Sequence, residues 1–570
     1  MKLTLVGTGI KLPHVDETAL RYNFANAYLQ AYLQAGPLTA AGLVVDRVDL
    51  PFSLDDPRFD DASVARVVST KPDVVGLSCY SWDLEAQLQL ATRIREEIPE
   101  ALVVLGGPSA TFQARELMAR VAAVDAVVRG EGERTLAELL AAPDREFGHI
   151  AGLTWRTRQG EVVEQPDRPV IADLAELASP LLTGVLVPPR QNMMLEFSRG
   201  CIYRCAYCAW RIQGGGVRYV PEERVSREVA WAHDHGYEHA FIIDSAINND
   251  QNRLDVLARA VSQADPNGDV AFSYFINYAF VNAQQVKSLK AIRPHEITVG
   301  LESVNQAALR AAARKPLDTV QFARALDLLS QVGPVTVSVM LGMPGDDLDG
   351  FRRTLDFIAQ QADRPGAQRI RSARVHWMLI APGSHLHKHA ARHGIRLAPS
   401  GIPYVLGTDT FPEQDLIRAL QVLHEHPRSD LFIWEDAEPV KMLGADLPRM
   451  ISAGGDHLGG RAPRRITDSD VLRAIRPLEP GRPLRRGWRV GPIVRQHGWP
   501  VVVLEGPGDR RISLQIRARD AEPHPYARTA TFDLVWIASE ESGEPRPEEQ
   551  RLVAAFAELL RTNDQPKASP

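Results

Sequence analysis

The sequence predicts an α/β protein made of two successive strand, loop and helix regions followed by a smaller α+β tail. Three observations carry this. Short Val/Leu/Ile-rich segments recur from residue 1 to about 150, each closed by a polar or glycine-rich turn and followed by a helical stretch, as in a doubly wound parallel sheet. The same alternation resumes near residue 186 and runs to about 400. At 570 residues the chain is also too long for one ordinary core, so about three domains are expected.

The first-region strands read as Leu3 to Gly7, Gly42 to Val45, Val74 to Ser78, Leu102 to Gly106 and Ala126 to Val128. Ligands of such sheets bind beyond the carboxyl ends of the strands. The turns there are Gly7-Thr8-Gly9, Ser78-Cys79-Tyr80-Ser81-Trp82, Gly106-Gly107-Pro108-Ser109-Ala110 and Arg129-Gly130-Glu131-Gly132-Glu133-Arg134-Thr135. Glycines at these ends let backbone approach a bulky ligand, although a single glycine turn is common strand punctuation. No G-x-G-x-x-G follows the first strand, which disfavours a dinucleotide. Residues 151–185 read as a linker, with helix-incompatible prolines at Pro166, Pro169, Pro188 and Pro189.

The second region, 186–400, opens on Met193 to Ser198, a short buried strand running through Arg199-Gly200 into Cys201-Ile202-Tyr203-Arg204-Cys205-Ala206-Tyr207-Cys208. This loop holds three of the chain's four cysteines. Three thiolates at C-x3-C-x2-C spacing can wrap a [4Fe-4S] cluster and leave its fourth iron without a protein ligand. A disulfide framework fits poorly, because the cysteines are few and the chain is long. A closed zinc site would draw on a second C-x-x-C or H-x3-H pair, and none accompanies this one.

Further strand ends follow. Phe241 to Asp244 runs into Ser245 to Asn249, where Asp244 reads either as a helix cap or as a functional acid. Phe272 to Tyr278 is rich in aromatics, and Tyr278 is a candidate hydrogen-bond donor or general base against the alternative of plain packing. Thr298 to Ser303 carries Glu302, and Val337 to Gly345 carries Ser338, with Met340 and Met343 as ordinary core residues. In the tail, 401–570, Arg511 to Arg517 and Thr529 to Trp536 alternate as antiparallel strands do, and a final amphipathic helix is expected over Glu548 to Leu560. Disorder is expected only from Asn563 to Pro570.

Net charge is -6 and no long basic run occurs, which argues against a nucleic-acid partner. Apolar runs stop well short of the ~20 residues of a membrane span, no signal peptide opens the sequence, and a cytoplasmic location and a monomer are expected.

The cysteine loop, with Tyr207 before the third cysteine, resembles the cluster loop of radical S-adenosylmethionine (SAM) enzymes, in which SAM chelates the open iron. The resemblance implies a partial (β/α)6 barrel, cluster ligation by Cys201, Cys205 and Cys208, and a SAM site at Tyr207, Glu302 and Ser338. Thr298 to Ser303 resembles that family's fourth strand, whose acid helps hold SAM, and Val337 to Gly345 its following strand and Gly-x-Pro-Gly turn.

The N-terminal turns together resemble the Rossmann-like cobalamin-binding domain of one large class of these enzymes. They imply a cobalamin cradle from Gly7, Ser78, Tyr80, Trp82, Gly106, Gly107, Pro108, Gly130, Glu131, Gly132 and Thr135. The D-x-H-x-x-G motif that coordinates cobalt from below is absent, since His14 lacks both its aspartate and its glycine. The likeness is therefore to members without a histidine ligand, with residues 78–82 under the corrin and Cys79 a buried packing residue rather than a ligand. Ala381 to Leu386 and Gly401 to Tyr404 also match, so the resemblance covers residues 1 to about 410.

The implied activity is C-methylation: a methyl group passes from SAM, via methylcobalamin, to a carbon of a small-molecule, amino-acid or peptide substrate, with an external flavodoxin- or ferredoxin-type electron donor. In one variant the carbon is aromatic, no substrate radical forms and Tyr278 removes the ring proton. Cobalamin-assisted oxidation, cyclisation or rearrangement without methyl transfer, and a non-catalytic cobalamin-binding module, are the alternatives.

Overall fold

The computed structural model describes residues 1–10, 22–52, 57–142, 145–189, 193–210, 215–364, 370–398 and 402–434, and the backbone of 489–496, 499–505, 511–518 and 532–537. His14, Gly401, the expected helix from Glu548 to Leu560 and the tail from Asn563 lie outside the described residues.

The first sheet contains β1 (Lys2–Ile10), β2 (Val44–Phe52), β3 (Val74–Ser78), β4 (Leu102–Gly106), β5 (Ala126–Val128), β6 (Leu153–Arg156) and β7 (Val162–Glu164), in the order β2-β1-β3-β4-β5-β6-β7. β1 to β5 are parallel, and β6 and β7 add an antiparallel hairpin. Alternate residues of each strand feed two cores: Val6, Val75, Leu77, Val103, Leu105 and Val127 pack on one face, and Leu3, Leu5, Val74, Val104, Ala126 and Val128 on the other. That two-sided burial is why these strands read as continuous apolar runs. The 2-1-3-4-5 order places a ligand crevice at the β1/β3 switch point, where Ser78 ends β3.

Two segments differ from the sequence reading. β2 begins at Val44 rather than Gly42, because Gly42 (φ +86°) is the left-handed turn that leads into it. The stretch taken as linker contains β6 and β7, whose Leu153 is fully buried in the second core.

The second sheet is wholly parallel: β8 (Met193–Leu195), β9 (His239–Ile242), β10 (Ala271–Ile276), β11 (Pro294–Glu302), β12 (Val335–Leu341), β13 (Ser372–Trp377) and β14 (Phe432–Trp434), paired in sequence order. Ile242, Tyr274, Val299, Val337, Val339, Val375 and Trp377 are buried. The alternating residues Thr298, Ser338, Arg374 and His376 are half-buried on the opposite, inner face, as the open barrel of the sequence reading requires. β14 is a seventh strand, drawn from beyond residue 400 and paired with β13.

Residues Met1–Ala445 form one compact unit and Asp446–Pro570 another. Within the second, β15 (Arg489–Gln496), β16 (Trp499–Glu505), β17 (Arg511–Ala518) and β18 (Phe532–Ile537) make an antiparallel meander. β17 and β18 are the two strands read from alternation.

Gly107 fixes how the β4 turn seats on the β3 turn. It has φ +94°, and a Cβ there would lie 2.6 Å from the Cys79 carbonyl oxygen. Gly107→Ala is expected to cost roughly 2–4 kcal/mol, combining left-handed strain with the clash, whereas Gly36→Ala, at φ -88° with nothing nearer than 3.4 Å, is expected to change stability by less than about 1 kcal/mol. Urea unfolding of the two variants checks the contrast.

Candidate functional site

After β8 the chain makes a two-residue strand, Ser198–Arg199, paired with Arg218–Tyr219, and then enters the cysteine loop. Gly200 (φ +97°) permits that turn, since a Cβ there would lie 2.5 Å from the Gly216 carbonyl oxygen. The loop is clamped at Ala206. Its amide donates to the Ala312 carbonyl (2.8 Å), just past α1 (Gln306–Ala311), and its carbonyl accepts from the Leu386 amide (2.8 Å). The Tyr207 carbonyl accepts from the Ala381 amide (3.1 Å).

Cys201, Cys205 and Cys208 are free, half-buried thiols. Burial pushes the Cys205 thiol up, against the lowering effect of the neighbouring Arg314 charge, and pushes the Cys208 thiol up to about 11. The three sulfurs do not gather within 4.8 Å of one another. A single tetrahedral ion with 2.3 Å bonds needs sulfurs about 3.8 Å apart; a wider triad of thiols on one loop suits a cluster.

Glu302 ends β11 at a register shift and is 8% exposed with φ +68°. A Cβ on Gly300 would lie 2.7 Å from Glu302 Oε1, so Gly300 makes room for the carboxylate. Glu302 pairs with Arg314 (3.2 Å), whose guanidinium also reaches Cys205 Sγ (3.6 Å), the Tyr207 hydroxyl (3.5 Å) and the Gly300 carbonyl (3.1 Å). Ser338 on β12 pairs in register with Gly300 on β11. The sequence reading missed Arg314. Its signal was faint: a basic residue at a helix end, two residues before Pro316.

Asp244 lies just after β9 and is 4% exposed. It caps no helix. Its carboxyl group accepts the Phe197 amide (2.8 Å) and the Ser198 hydroxyl (2.5 Å), while Ser245 Oγ donates to the Gly200 carbonyl (2.9 Å). The end of β9 therefore holds the segment entering the cysteine loop. Burial pushes the Asp244 carboxyl up to about 7.

Tyr278 starts a short 3-10 turn after β10 and packs edge-on against Phe322 at 5.0 Å. It faces Arg314, Tyr203 and Glu302 closely enough to feel their charges, while burial raises its hydroxyl. Beside it, Asn277 hydrogen-bonds Tyr203 of the cysteine loop and is held by Asn248, which Gln285 braces in turn.

At the ends of the first sheet, Tyr80 and Trp82 stack at 4.6 Å with planes 8° apart, beside Ser78, and Trp82 Nε1 is buried with no partner among the described residues. Burial pushes the Tyr80 hydroxyl up to about 12. Asp83 fastens this turn, accepting from the Tyr80 amide (2.7 Å) and the Thr8 hydroxyl (2.6 Å). A Cβ on Gly106 would meet nothing nearer than 4.0 Å, which leaves an open cradle beside Pro108. Gly130 (φ +85°) donates its amide to Thr111 Oγ1 (3.1 Å), and Gly132 opens the next helix, α2 (Gly132–Ala141). A flat aromatic step, an open glycine and an orphaned indole N–H fit a planar macrocycle with amide side arms. Cys79 is fully buried in the core, as the packing reading requires.

Three expected cofactor residues have other partners. Glu131 accepts from the Ile171 amide (2.6 Å) and Arg218 (2.9 Å). Fully buried Thr135 bonds the Ala151 carbonyl (3.2 Å) and Arg168 (2.7 Å). A Cβ on Gly7 would lie 2.4 Å from Asn23 Cβ, so this glycine makes room for a side chain of the protein itself.

The two groups of loops meet at residues 381–386, which hold the cysteine loop as described. A Cβ on Gly383 (φ +77°) would lie 2.3 Å from the Phe112 ring, beyond the Gly106 turn.

Comparison with known proteins matches residues 28–140 to the family described as "B12 binding domain" and residues 195–358 to the "Radical SAM superfamily". The chain is 26% identical over 396 residues to 2-(S-pantetheinyl)-carbapenam-3-carboxylate methyltransferase of Streptantibioticus cattleyicolor, covering 65% of this chain and 55% of the relative. It is 25% identical over 397 residues to the cobalamin-dependent radical SAM methyltransferase TokK of Streptomyces tokunonensis, covering 66% and 57%. It thus spans little more than half the length of these curated relatives. The structure of TsrM from Kitasatospora setae, with cobalamin and a [4Fe-4S] cluster bound, shares the fold, with a TM-score of 0.60 at 17% identity over 80% of this chain and 96% of that one. The chain thus combines a B12-binding domain and a radical SAM domain in one polypeptide, and the cofactors of these domains are cobalamin, a [4Fe-4S] cluster and SAM.

Proposed function

We propose that this chain is a C-methyltransferase that moves a methyl group from SAM to a carbon of a small-molecule, amino-acid or peptide substrate. One observation supports this most: residues 381–386 bond to the cysteine loop on one side and pack on Phe112 of the cobalamin-side turns on the other, so one segment joins the two sets of loops. Cobalamin supplies a cobalt that carries methyl groups, chemistry no side chain offers. The protein's part is to bind, orient and exclude water.

Cys201, Cys205 and Cys208 hold the cluster, with Tyr207, Glu302 and Ser338 around SAM. Ser78, Tyr80, Trp82, Gly106, Gly107, Pro108, Gly130 and Gly132 border the cobalamin. Asp244 positions the cysteine loop rather than taking part in proton transfer. Tyr278 faces the substrate. With its hydroxyl raised by burial, it is a hydrogen-bond donor at neutral pH rather than a base. The exposed rings of Phe275 and Phe280 on either side of it favour an aromatic carbon as acceptor, a reading to which the tryptophan bound in another TsrM structure lends support. An external flavodoxin- or ferredoxin-type donor would supply electrons.

Anaerobic reconstitution with iron, sulfide, cobalamin and methyl-labelled SAM, followed by a search of candidate substrates, tests the reading. The expected product is heavier by one CH2 and carries the label, and Cys205→Ser is expected to lose activity by about 100-fold or more with loss of the cluster. A product without added CH2 would instead indicate oxidation or cyclisation.

Asp244 gives a test by pH. Its raised folded-state value means that the native chain keeps a proton which the unfolded chain releases above about 4. The protonated acid's stabilisation is fully present below about 4 and is lost as pH rises through 7. Relative to Asp244→Asn, the wild-type apoprotein is therefore expected to lose on the order of a few kcal/mol between pH 4 and 7, read by urea unfolding at each pH. A difference that stays flat would contradict it.

A further inference from the structure

We propose that Arg314 is a positioning residue that sets the reduction equilibrium of the cluster, a role that rests on the reading of Cys201, Cys205 and Cys208 as its ligands. The geometry is specific. One guanidinium meets a cysteine sulfur at 3.6 Å, the Tyr207 hydroxyl at 3.5 Å, Glu302 at 3.2 Å and a strand-end carbonyl at 3.1 Å.

The backbone is bent to bring it there. α1 ends in a turn in which the Arg314 amide bonds the Leu309 carbonyl (2.8 Å) and Ala313 takes φ +53°. Glu302, on the other side of the ion pair, has φ +68°. Only five non-glycine residues with positive φ are described, and two of them flank this one contact. Left-handed alanine and glutamate are unfavourable, and such strain persists where the surroundings over-determine it. The same turn presents the Ala312 carbonyl to Ala206, so the element that clamps the cysteine loop also delivers the charge.

Electrostatics then gives the sign. One-electron reduction adds negative charge to a cluster already made anionic by its three thiolates. A fixed cation beside one thiolate stabilises the reduced form more than the oxidised one, and an N–H to sulfur bond acts in the same direction. Glu302 alone would oppose reduction, and Arg314 neutralises it. Arg314 thus raises the potential twice, by its own charge and by compensating the acid. Guanidinium is charged at any working pH, so the bias is permanent.

The test is an EPR-monitored redox titration of the reconstituted full-length protein, without SAM, for wild type, Arg314→Gln, Arg314→Lys and Glu302→Gln, each normalised to bound iron. Arg314→Gln is expected to disfavour reduction at least tenfold, a fall of 59 mV for a one-electron couple. Arg314→Lys is expected to recover most of that, and Glu302→Gln to move the midpoint upward. A brace without electrostatic function would leave all four midpoints together, and that result overturns the proposal. Should Arg314→Gln hold no cluster, Glu302→Gln decides, an unchanged midpoint again overturning it. A wild-type chain that takes up no [4Fe-4S] cluster would instead overturn the cysteine reading itself.

Discussion

The two cofactor-bearing halves of this protein meet on one buried guanidinium. Arg199, two residues before Cys201, reaches Glu133 (2.8 Å), Glu196 (3.1 Å) and Glu131 (3.6 Å), and lies 5.1 Å over the ring of Tyr28. Arg224 approaches the same ring at 5.4 Å, donates to the Tyr28 hydroxyl (2.6 Å) and pairs with Glu228 (2.8 Å). Burial alone would raise the Glu131 carboxyl, but hydrogen bonds from Arg218 and the Ile171 amide outweigh it and hold it below its ordinary value. Such buried networks add little net stability, because desolvation offsets much of the attraction. What this one fixes is registration. The seating of the barrel on the first sheet brings Arg199 to three carboxylates at once, and it sets the strand leading into the cysteine loop against the helices of the first sheet.

From that seating the remaining contacts follow in series. The β1/β3 switch point presents Tyr80 and Trp82, Asp83 ties their turn to Thr8 on β1, and Gly107 lets the Gly106 turn lie on the backbone of Cys79. The next ring outward is Phe112, on which Gly383 closes, and residues 381–386 continue to Ala206 and Tyr207. The path from the β3 and β4 turns to the cysteine loop runs through the Phe112 ring and then through backbone hydrogen bonds. Two further polar braces hold the cysteine loop: Asp244 on Phe197 and Ser198, and separately Asn248 through Asn277 to Tyr203. A hydrogen-bonded network of this kind rigidifies its surroundings.

Much of this was legible in the sequence where residues act through local pattern. The five parallel strands showed as apolar runs because both faces are buried, and the cysteine spacing is a property of one loop. Legibility failed where residues act across the fold. Arg314 lies twelve residues beyond Glu302 and becomes part of the site only because Ala313 turns left-handed. Glu131 and Thr135 sit in the right turn but point to Arg218 and Arg168, partners 87 and 33 residues away. Gly7 resembles a ligand glycine, yet the space beside it belongs to Asn23. The β6–β7 hairpin was hidden because its strands are only four and three residues long and are followed by a proline-containing polar stretch, so it resembled a linker.

The proposed function requires cobalamin and the cluster to share one site. The most direct measurement is EPR of the reconstituted protein holding cob(II)alamin and the one-electron-reduced cluster together. The expected spectrum is that of cob(II)alamin without nitrogen splitting from a lower histidine, broadened by magnetic coupling to the reduced cluster. A sharp cob(II)alamin signal indifferent to the state of the cluster would place the cofactors apart and contradict it.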